Sequence, residues 1–197
     1  MKKLIIILFI AGITISYSQT DVDTTYRVEI STTASSSINF FRDERYPGGP
    51  SGSSWGYGVF IRGMWHPGRM LAIGVLSGYS FVVGDEFEVD TFYSNPNKEN
   101  ASASLAAIPL QLVISMQYKG LEFGVGMGPY LMLTTIDFGS TAEAQRIELG
   151  LTFIGLYRFS FGDNFSLGPE LRVLYLSYRG IISVMPSITL QLDLWRY

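Results

Sequence analysis

The chain contains no cysteine and a single histidine in 197 residues. That excludes a disulfide framework, thiolate metal centres, cysteine nucleophiles and a zinc site built on several imidazoles. Charge is scarce as well: Asp, Glu, Lys and Arg make up 16% of residues, well below the usual quarter. No cationic excess exists, since 14 basic residues face 17 acidic ones, so nucleic acid is not expected as a partner. What the chain does have is 47% hydrophobic and 14% aromatic residues with 21 glycines, a composition that argues against disorder and against long helices. Its mean hydropathy is positive, +0.23, although no apolar run after residue 18 is long enough for a membrane-spanning helix.

Residues 1–18, MKKLIIILFIAGITISYS, read as a signal peptide. Lys2 and Lys3 form a basic start, Leu4 to Ile15 an apolar stretch, and Ser16 and Ser18 a small-x-small cleavage site. The apolar stretch is shorter than the roughly 20 residues of a membrane anchor, and no Cys follows the site to carry lipid. Cleavage leaves 12 basic and 17 acidic residues, a net charge of −5. Residues 19–25 are then a short periplasmic lead, and residues 26–197 the folded part.

Beyond residue 25 apolar residues recur with period two, the signature of strands rather than helices. In 55–65, Trp55, Tyr57, Val59, Ile61 and Trp65 share one face; in 121–134, Leu121, Phe123, Val125, Met127, Leu131 and Leu133 do. In 146–161 the series is Ile147, Leu149, Leu151, Phe153, Tyr157, Phe159 and Phe161. The pattern predicts eight strands: 26–38, 55–65, 70–82, 103–117, 121–134, 146–161, 166–178 and 183–195. Each meets the ~9–11 residues that a tilted strand needs to cross hydrocarbon. Tight connections at 66–69, 118–120 and 162–165 alternate with longer ones at 39–54, 83–102, 135–145 and 177–182. Short turns on one side and long loops on the other predict a closed, antiparallel, up-and-down eight-stranded transmembrane β-barrel, an all-β fold.

Charge placement points the same way. Arg27, Glu29, Arg62, Glu122, Arg146, Glu148, Arg158, Glu170, Arg172 and Asp193 all sit on the parity opposite the apolar series. A cation facing lipid near midplane costs about 2–4 kcal/mol, whereas in a lumen it pairs or stays wet. Five arginines against five acids suggest a lumen filled by ion pairs and hydrogen bonds rather than by an aliphatic core. A soluble sandwich would place charges on every outward position instead. Aromatics near strand ends, Trp55, Tyr57, Trp65, Tyr79, Phe81 and Tyr157 to Phe161, suit interfacial girdles.

Four prolines, Pro109, Pro129, Pro169 and Pro186, fall inside strands, where each removes a ladder donor. The apolar parity switches from Leu105 to Ile108, Leu110, Leu112 and Ile114, which predicts a bulge near Pro109. Near the end, Leu190, Leu192 and Leu194 oppose Trp195 and Tyr197 in parity. Either a bulge shifts the phase there or the last aromatics leave the lipid face.

Ile108-Pro109-Leu110, opening a strand after the longest loop, and Gly124-x-Gly126-x-Gly128-Pro129-Tyr130, after a tight turn, resemble the PorT-like outer-membrane β-barrel family of Gram-negative bacteria. The resemblance implies an exported eight-stranded barrel in the cell outer membrane and brings no catalytic residues with it. Proteins of this kind end in an aromatic residue read by the barrel-assembly machinery, a role that Trp195 and Tyr197 would fill.

Chemistry is thin. His66 sits in His66-Pro67-Gly68-Arg69 and reads as a polar turn residue. A hydrolase acting on lipid would need its His at the opposite, loop end of the barrel. The lumen carboxylates Glu29, Glu122, Glu148 and Glu170 read as partners of the arginines rather than as general acids. Residues 83–102 form an acidic loop in which Asp85, Glu86, Glu88 and Asp90, with Phe87, Phe92 and Tyr93 as apolar anchors, offer a surface for a protein partner or a divalent cation. The glycine tract 46–54 lacks the Lys-Ser/Thr of a phosphate loop. No cofactor and no catalytic residue is expected. The reading is a non-enzymatic outer-membrane anchor, in contact with lipid, whose loops bind; the alternatives are a lipid-modifying enzyme and a narrow channel.

Overall fold

The computed structural model describes residues 26–41, 55–68, 70–89, 99–137, 140–162, 164–177 and 180–196. Its strands are β1 (Arg27–Phe40), β2 (Trp55–His66), β3 (Leu71–Val89), β4 (Glu99–Tyr118), β5 (Leu121–Asp137), β6 (Thr141–Tyr157), β7 (Phe159–Phe161), β8 (Phe165–Leu176) and β9 (Ile181–Arg196). Each is antiparallel to its neighbour in the order β6-β5-β4-β3-β2-β1-β9-β8-β7, and β6 also pairs with β8, which closes the ring. β7 continues β6 after one interruption and pairs with β8 in the same register, so the wall has eight courses. Among the described residues no helix is long and apolar enough to cross a membrane. The fold is a closed antiparallel eight-stranded β-barrel.

Paired residues define its dimensions. From Ile30 the ring passes Gly63, Val75, Leu112, Met127, Leu151, Tyr175 and Ile182 and returns to β1 at Phe40, ten residues beyond its start. Eight strands with that stagger tilt by about 40–45° and enclose a ring of roughly 8 Å radius, wide enough for side chains alone. Both described chain ends, the tight turns and Tyr118-Lys119-Gly120-Leu121 lie at one end. There Lys119 (φ 48°) and Gly120 (φ 84°) make the two-residue hairpin turn that matches strand twist.

Side chains alternate across the wall. On β5, Glu122, Gly124 and Gly126 point inward and are buried, while Phe123, Val125 and Met127 point outward and are exposed. The outer surface is an apolar belt that includes Leu110, Leu112, Ile114, Leu149, Phe153, Ile188 and Leu190. Aromatics flank it: Tyr26, Trp65, Tyr118, Phe161, Phe165 and Trp195 at the turn end; Phe40, Trp55, Tyr57 and Tyr79 at the loop end. So large an exposed apolar surface is stable only against hydrocarbon.

Each in-strand proline accounts for a local gap in pairing. β3–β4 pairing stops at Ser77↔Leu110 and resumes at Ser80↔Ala107, beside Pro109. β4–β5 pairing skips from Pro109↔Tyr130 to Leu112↔Met127, opposite Pro129. The interruption between β6 and β7 faces Pro169, and β1–β9 pairing skips Ser36 and Ser37 opposite Pro186. The missing N–H costs one rung each time while the register on either side holds.

Two bulges correct the phase readings. β4 does not switch parity at Pro109: Leu105, Ala107, Gln111, Val113 and Ser115 all point inward. The extra residue lies on β3, between Phe81 and Val83, opposite Ala106 and Leu105. Leu105 misled because it is an apolar residue of the lumen. At the C-terminus a bulge leaves Val28 opposite Trp195 and Glu29 opposite Asp193, so Leu194 and Trp195 are both exposed.

Glycines give the lumen its bulk tolerance. A Cβ on Gly150 would lie 2.6 Å from Tyr130 Cε2 and 2.8 Å from the carbonyl of Tyr175. Gly150→Val is therefore expected to lower the unfolding free energy by about 1–3 kcal/mol, measured by urea unfolding in detergent micelles. Gly63→Val, where nothing lies within 4 Å of the added Cβ, is expected to change it by less than about 0.5 kcal/mol.

Candidate functional site

The lumen is stratified from the turn end to the loop end. Nearest the turns, β1, β2, β4, β5 and β9 and the break after β6 converge their charged side chains. Glu29 takes Arg27 Nη2 and Arg158 Nη1, each at 3.1 Å, and Gln191 Nε2 at 2.9 Å. Glu122 takes Arg62 Nη1 at 3.1 Å, Arg158 Nη2 and Gln117 Nε2. Arg27 also reaches Asp193 at 3.4 Å and donates to Gln117 Oε1 at 2.9 Å. Arg158 is the cross-brace, because it joins a carboxylate on β1 to one on β5. It occupies the interruption opposite Pro169, where its backbone N–H donates instead to Gly120 O.

Three arginines and three acids balance within this cluster, so burying it leaves no net charge in the lumen. His66 belongs here too. The last residue of β2 is buried, with Nε2 3.4 Å from Glu29 Oε2 and 3.3 Å from Arg27 Nη2. Reading it as a turn residue was wrong. It shares the inward parity of Arg62 and Met64, the signal that adjacent Pro67 and Gly68 obscured.

A second ionic layer lies deeper. Arg172 pairs with Glu170 at 2.6 Å and donates to Thr33 Oγ1 at 3.4 Å, and its guanidinium lies 4.1 Å above the Phe60 ring. Thr189 donates to Glu170 at 2.9 Å and exchanges a hydrogen bond with Thr33. Beside it Tyr130 bonds to Thr152, whose hydroxyl donates to Gln111. These uncharged members, Thr33, Gln111, Tyr130, Thr152, Thr189 and Gln191, were not singled out from the sequence. Their inward parity was readable, but polar residues at lumen positions carry no signature of which will meet.

Toward the loop end the lumen turns apolar. Phe60, Val82, Val83, Leu105, Ala107, Tyr130, Met132, Leu174, Leu176, Ile181 and Met185 form one cluster there. A smaller one, Met64, Ala72, Leu76, Val113 and Ile154, lies lower on the β2–β6 side, level with the charges: Met64 is opposite Glu29 and Leu76 opposite Arg62. The expectation of a lumen without an aliphatic core is thereby corrected. Inward positions carry charge chiefly in the turn-end half, and counting charges by parity said nothing about their apolar neighbours.

Of the ten predicted lumen charges, Arg27, Glu29, Arg62, Glu122, Arg158 and Asp193 come together in one cluster, and Glu170 and Arg172 in another. Glu148 is buried near the rim, 3.8 Å from Arg146. Arg146 has lumen parity but is half exposed, because β6 has by then risen beyond the ring. It is not a lumen residue.

The loop expected at 83–102 is largely strand. β3 runs to Val89 and β4 starts at Glu99, with Asp85↔Ala103 and Glu88↔Asn100 paired. Asp85, Glu86, Phe87 and Glu88 thus lie on a ladder by their backbone, while Asp90, Phe92 and Tyr93 lie outside the described residues. Among the described residues no group of three His, Asp or Glu could hold a metal ion.

β3, β4, β5 and β6 together form a wall above the ring. β2 pairs with β3 no further than Tyr57↔Phe81, and β8 pairs with β6 only from Leu176↔Gly150, whereas β6 begins at Thr141. From Thr141 to Ile147 every residue of β6 is exposed.

A barrel of this size, with an ionic lumen and an apolar belt, is the architecture of small outer-membrane barrels. Neisserial surface protein A has a similar structure, at TM-score 0.51 and 12% identity, covering 84% of this chain and 96% of that one. So does Ail, the attachment invasion locus protein of Yersinia pestis, solved with the heparin analogue sucrose octasulfate, at TM-score 0.51 and 10% identity over 84% and 98%. At such identities the likeness establishes the fold. No protein-family profile matches the chain, and no curated protein matches its sequence.

Removing Arg158 strands Glu29 and Glu122 in the lumen with fewer partners. Arg158→Ala is expected to cost about 3–5 kcal/mol in urea unfolding, with part restored when Glu122→Gln is added. Arg146→Ala is expected to stay within about 0.5 kcal/mol.

Proposed function

We propose that the protein is an integral outer-membrane barrel of the PorT-like kind, a non-enzymatic anchor that carries a binding wall on the cell surface. The observation that carries this reading is the pairing of a continuous apolar belt with a lumen closed by ion pairs at one end and apolar packing at the other. A belt of that kind fits hydrocarbon, and a lumen so filled leaves no route for solute. The segments behind the family resemblance have matching structural roles. Ile108-Pro109-Leu110 lies in the transmembrane part of β4; in β5, Gly124 makes room beside Ser115 and Ile154, and Gly126 and Gly128 beside Gln111.

Orientation follows from the signal peptide and from strand connectivity: termini and tight turns face the periplasm, and the wall of β3 to β6 faces outward. Trp195, exposed at the end of β9 beside Leu194, suits recognition by the assembly machinery. His66 weighs against lipid hydrolysis, since it lies in the periplasmic half of the lumen with Glu29 and Arg27 as neighbours. The narrow-channel alternative meets the same two closures.

Detergent-extracted protein is expected to migrate faster unboiled than boiled, and protease added to whole cells is expected to cut within residues 90–98. Planar bilayers containing it are expected to show no steady open-pore conductance. Folding of the mature chain in buffer without detergent would refute the anchor, and sustained conductance would refute the closed lumen.

A further inference from the structure

Above the ring, β6 has a neighbour on one side only among the described residues. Asp137 pairs with Thr141 at the outer end of the β5–β6 ladder, and β5 pairs with β6 along its whole length. On the other side the first contact comes at Leu149, whose carbonyl accepts the Ser177 N–H at 3.3 Å and its hydroxyl at 3.0 Å. Backbone groups of an antiparallel strand point alternately to its two neighbours. Since Leu149 points away from β5, Ile147, Gln145, Glu143 and Thr141 do so as well. Their N–H and C=O groups, on alternate residues from Thr141 to Ile147 and spread over about 24 Å, meet no strand among the described residues.

Side chains along this edge define what fits. Thr141, Glu143, Gln145 and Ile147 share the outer face, with exposed Asp137 at the tip, opposite Thr141. Ala142, Ala144 and Arg146 share the inner face; the two alanines are small, and Arg146 is held toward Glu148 at 3.8 Å, so the outer face with Glu143 and Asp137 carries the net negative charge. An added strand would thus place a cation across from Glu143 and larger apolar side chains across from the two alanines.

We propose that the outward flank of β6, carried by Thr141, Glu143, Gln145 and Ile147, is a docking site that captures an extended cationic segment of a partner protein as an added antiparallel strand. The proposal rests on the anchor reading and names the binding element of the wall. A strand flank without a neighbour is otherwise a liability for uncontrolled pairing. Here it stands clear of the lipid belt, where an aqueous partner reaches it. The partner residues opposite Glu143 and Gln145 carry the N–H groups that bond to β6, because directly bonded pairs of an antiparallel ladder share a face.

The test uses the mature protein in detergent micelles and the capped peptide Val-Arg-Val-Arg-Val-Arg-Val-Arg as probe, followed by fluorescence titration and by amide shifts of residues 141–147. Saturable binding is expected. Gln145→Pro removes an N–H that points away from β5, so the β5–β6 ladder and heat-modifiable migration are retained while affinity falls at least tenfold. Glu143→Lys lowers it similarly. On the probe side, N-methylation at the arginines abolishes binding and N-methylation at the valines does not, which tests the geometry even if the proline variant fails to fold. Equal affinity for wild type and Gln145→Pro, no saturable binding, or indifference to arginine N-methylation overturns the docking site. Detergent-stable dimers that Gln145→Pro dissolves overturn it in favour of a second copy as occupant. None of these results touches the anchor reading, which fails separately if heat-modifiable migration is absent.

Discussion

A sheet in hydrocarbon cannot leave an edge, because each unpaired backbone N–H or C=O there costs several kcal/mol. Every other property of this protein depends on that constraint. It forces β6 onto β8 and makes the ring close with eight courses and a ten-residue stagger. Closure in turn fixes a lumen about as wide as two facing side chains. The outer face must then be apolar and the inner one must fill itself, which is why small and large residues alternate inside: Gly150 beside Tyr130, Gly58 beside Phe60 and Met185, Gly74 beside Met64.

The filling divides by depth. Toward the turns, charge predominates, and balance holds it there. Arg158 reaches both Glu29 and Glu122, so strands on opposite sides of the barrel are braced by one guanidinium. A single buried ion would be prohibitive, whereas a neutral cluster whose members also receive Gln117 and Gln191 is tolerable and restricts the chain to one register. Toward the loops, Phe60, Met132, Leu174, Ile181 and their neighbours are buried against one another. Arg172 marks the boundary, with Glu170 on one side and the Phe60 ring against its face.

Where lipid ends, the constraint lifts, and the structure changes at that level. Among the described residues β3 to β6 continue as a wall past the last rungs with β2 and β8, and β6 pairs there on one flank only, which hydrocarbon would forbid. The prolines follow a related logic. Each removes one donor from a closed ring, and the registers on either side of every gap agree, so each loss stays local. A barrel that can spare a rung in four places owes its stability more to closure and lumen packing than to any single hydrogen bond.

The alternation of Phe123, Val125 and Met127 against Glu122, Gly124 and Gly126 was enough to determine strand class, face and closure, since period two is a local property of the chain and the cost of charge in lipid leaves one sidedness. Eight strands, the tight turns and the inward placement of Glu29, Arg62, Glu122 and Arg172 were legible for that reason. The sequence did not reveal that Leu105 faces inward across from a bulge on β3, that His66 joins Glu29, or that Arg146 rises clear of the lumen while Arg158 bridges it. Those outcomes depend on stagger, bulge position and the height at which each strand stops. All three are sums over the whole ring, and no one segment carries them.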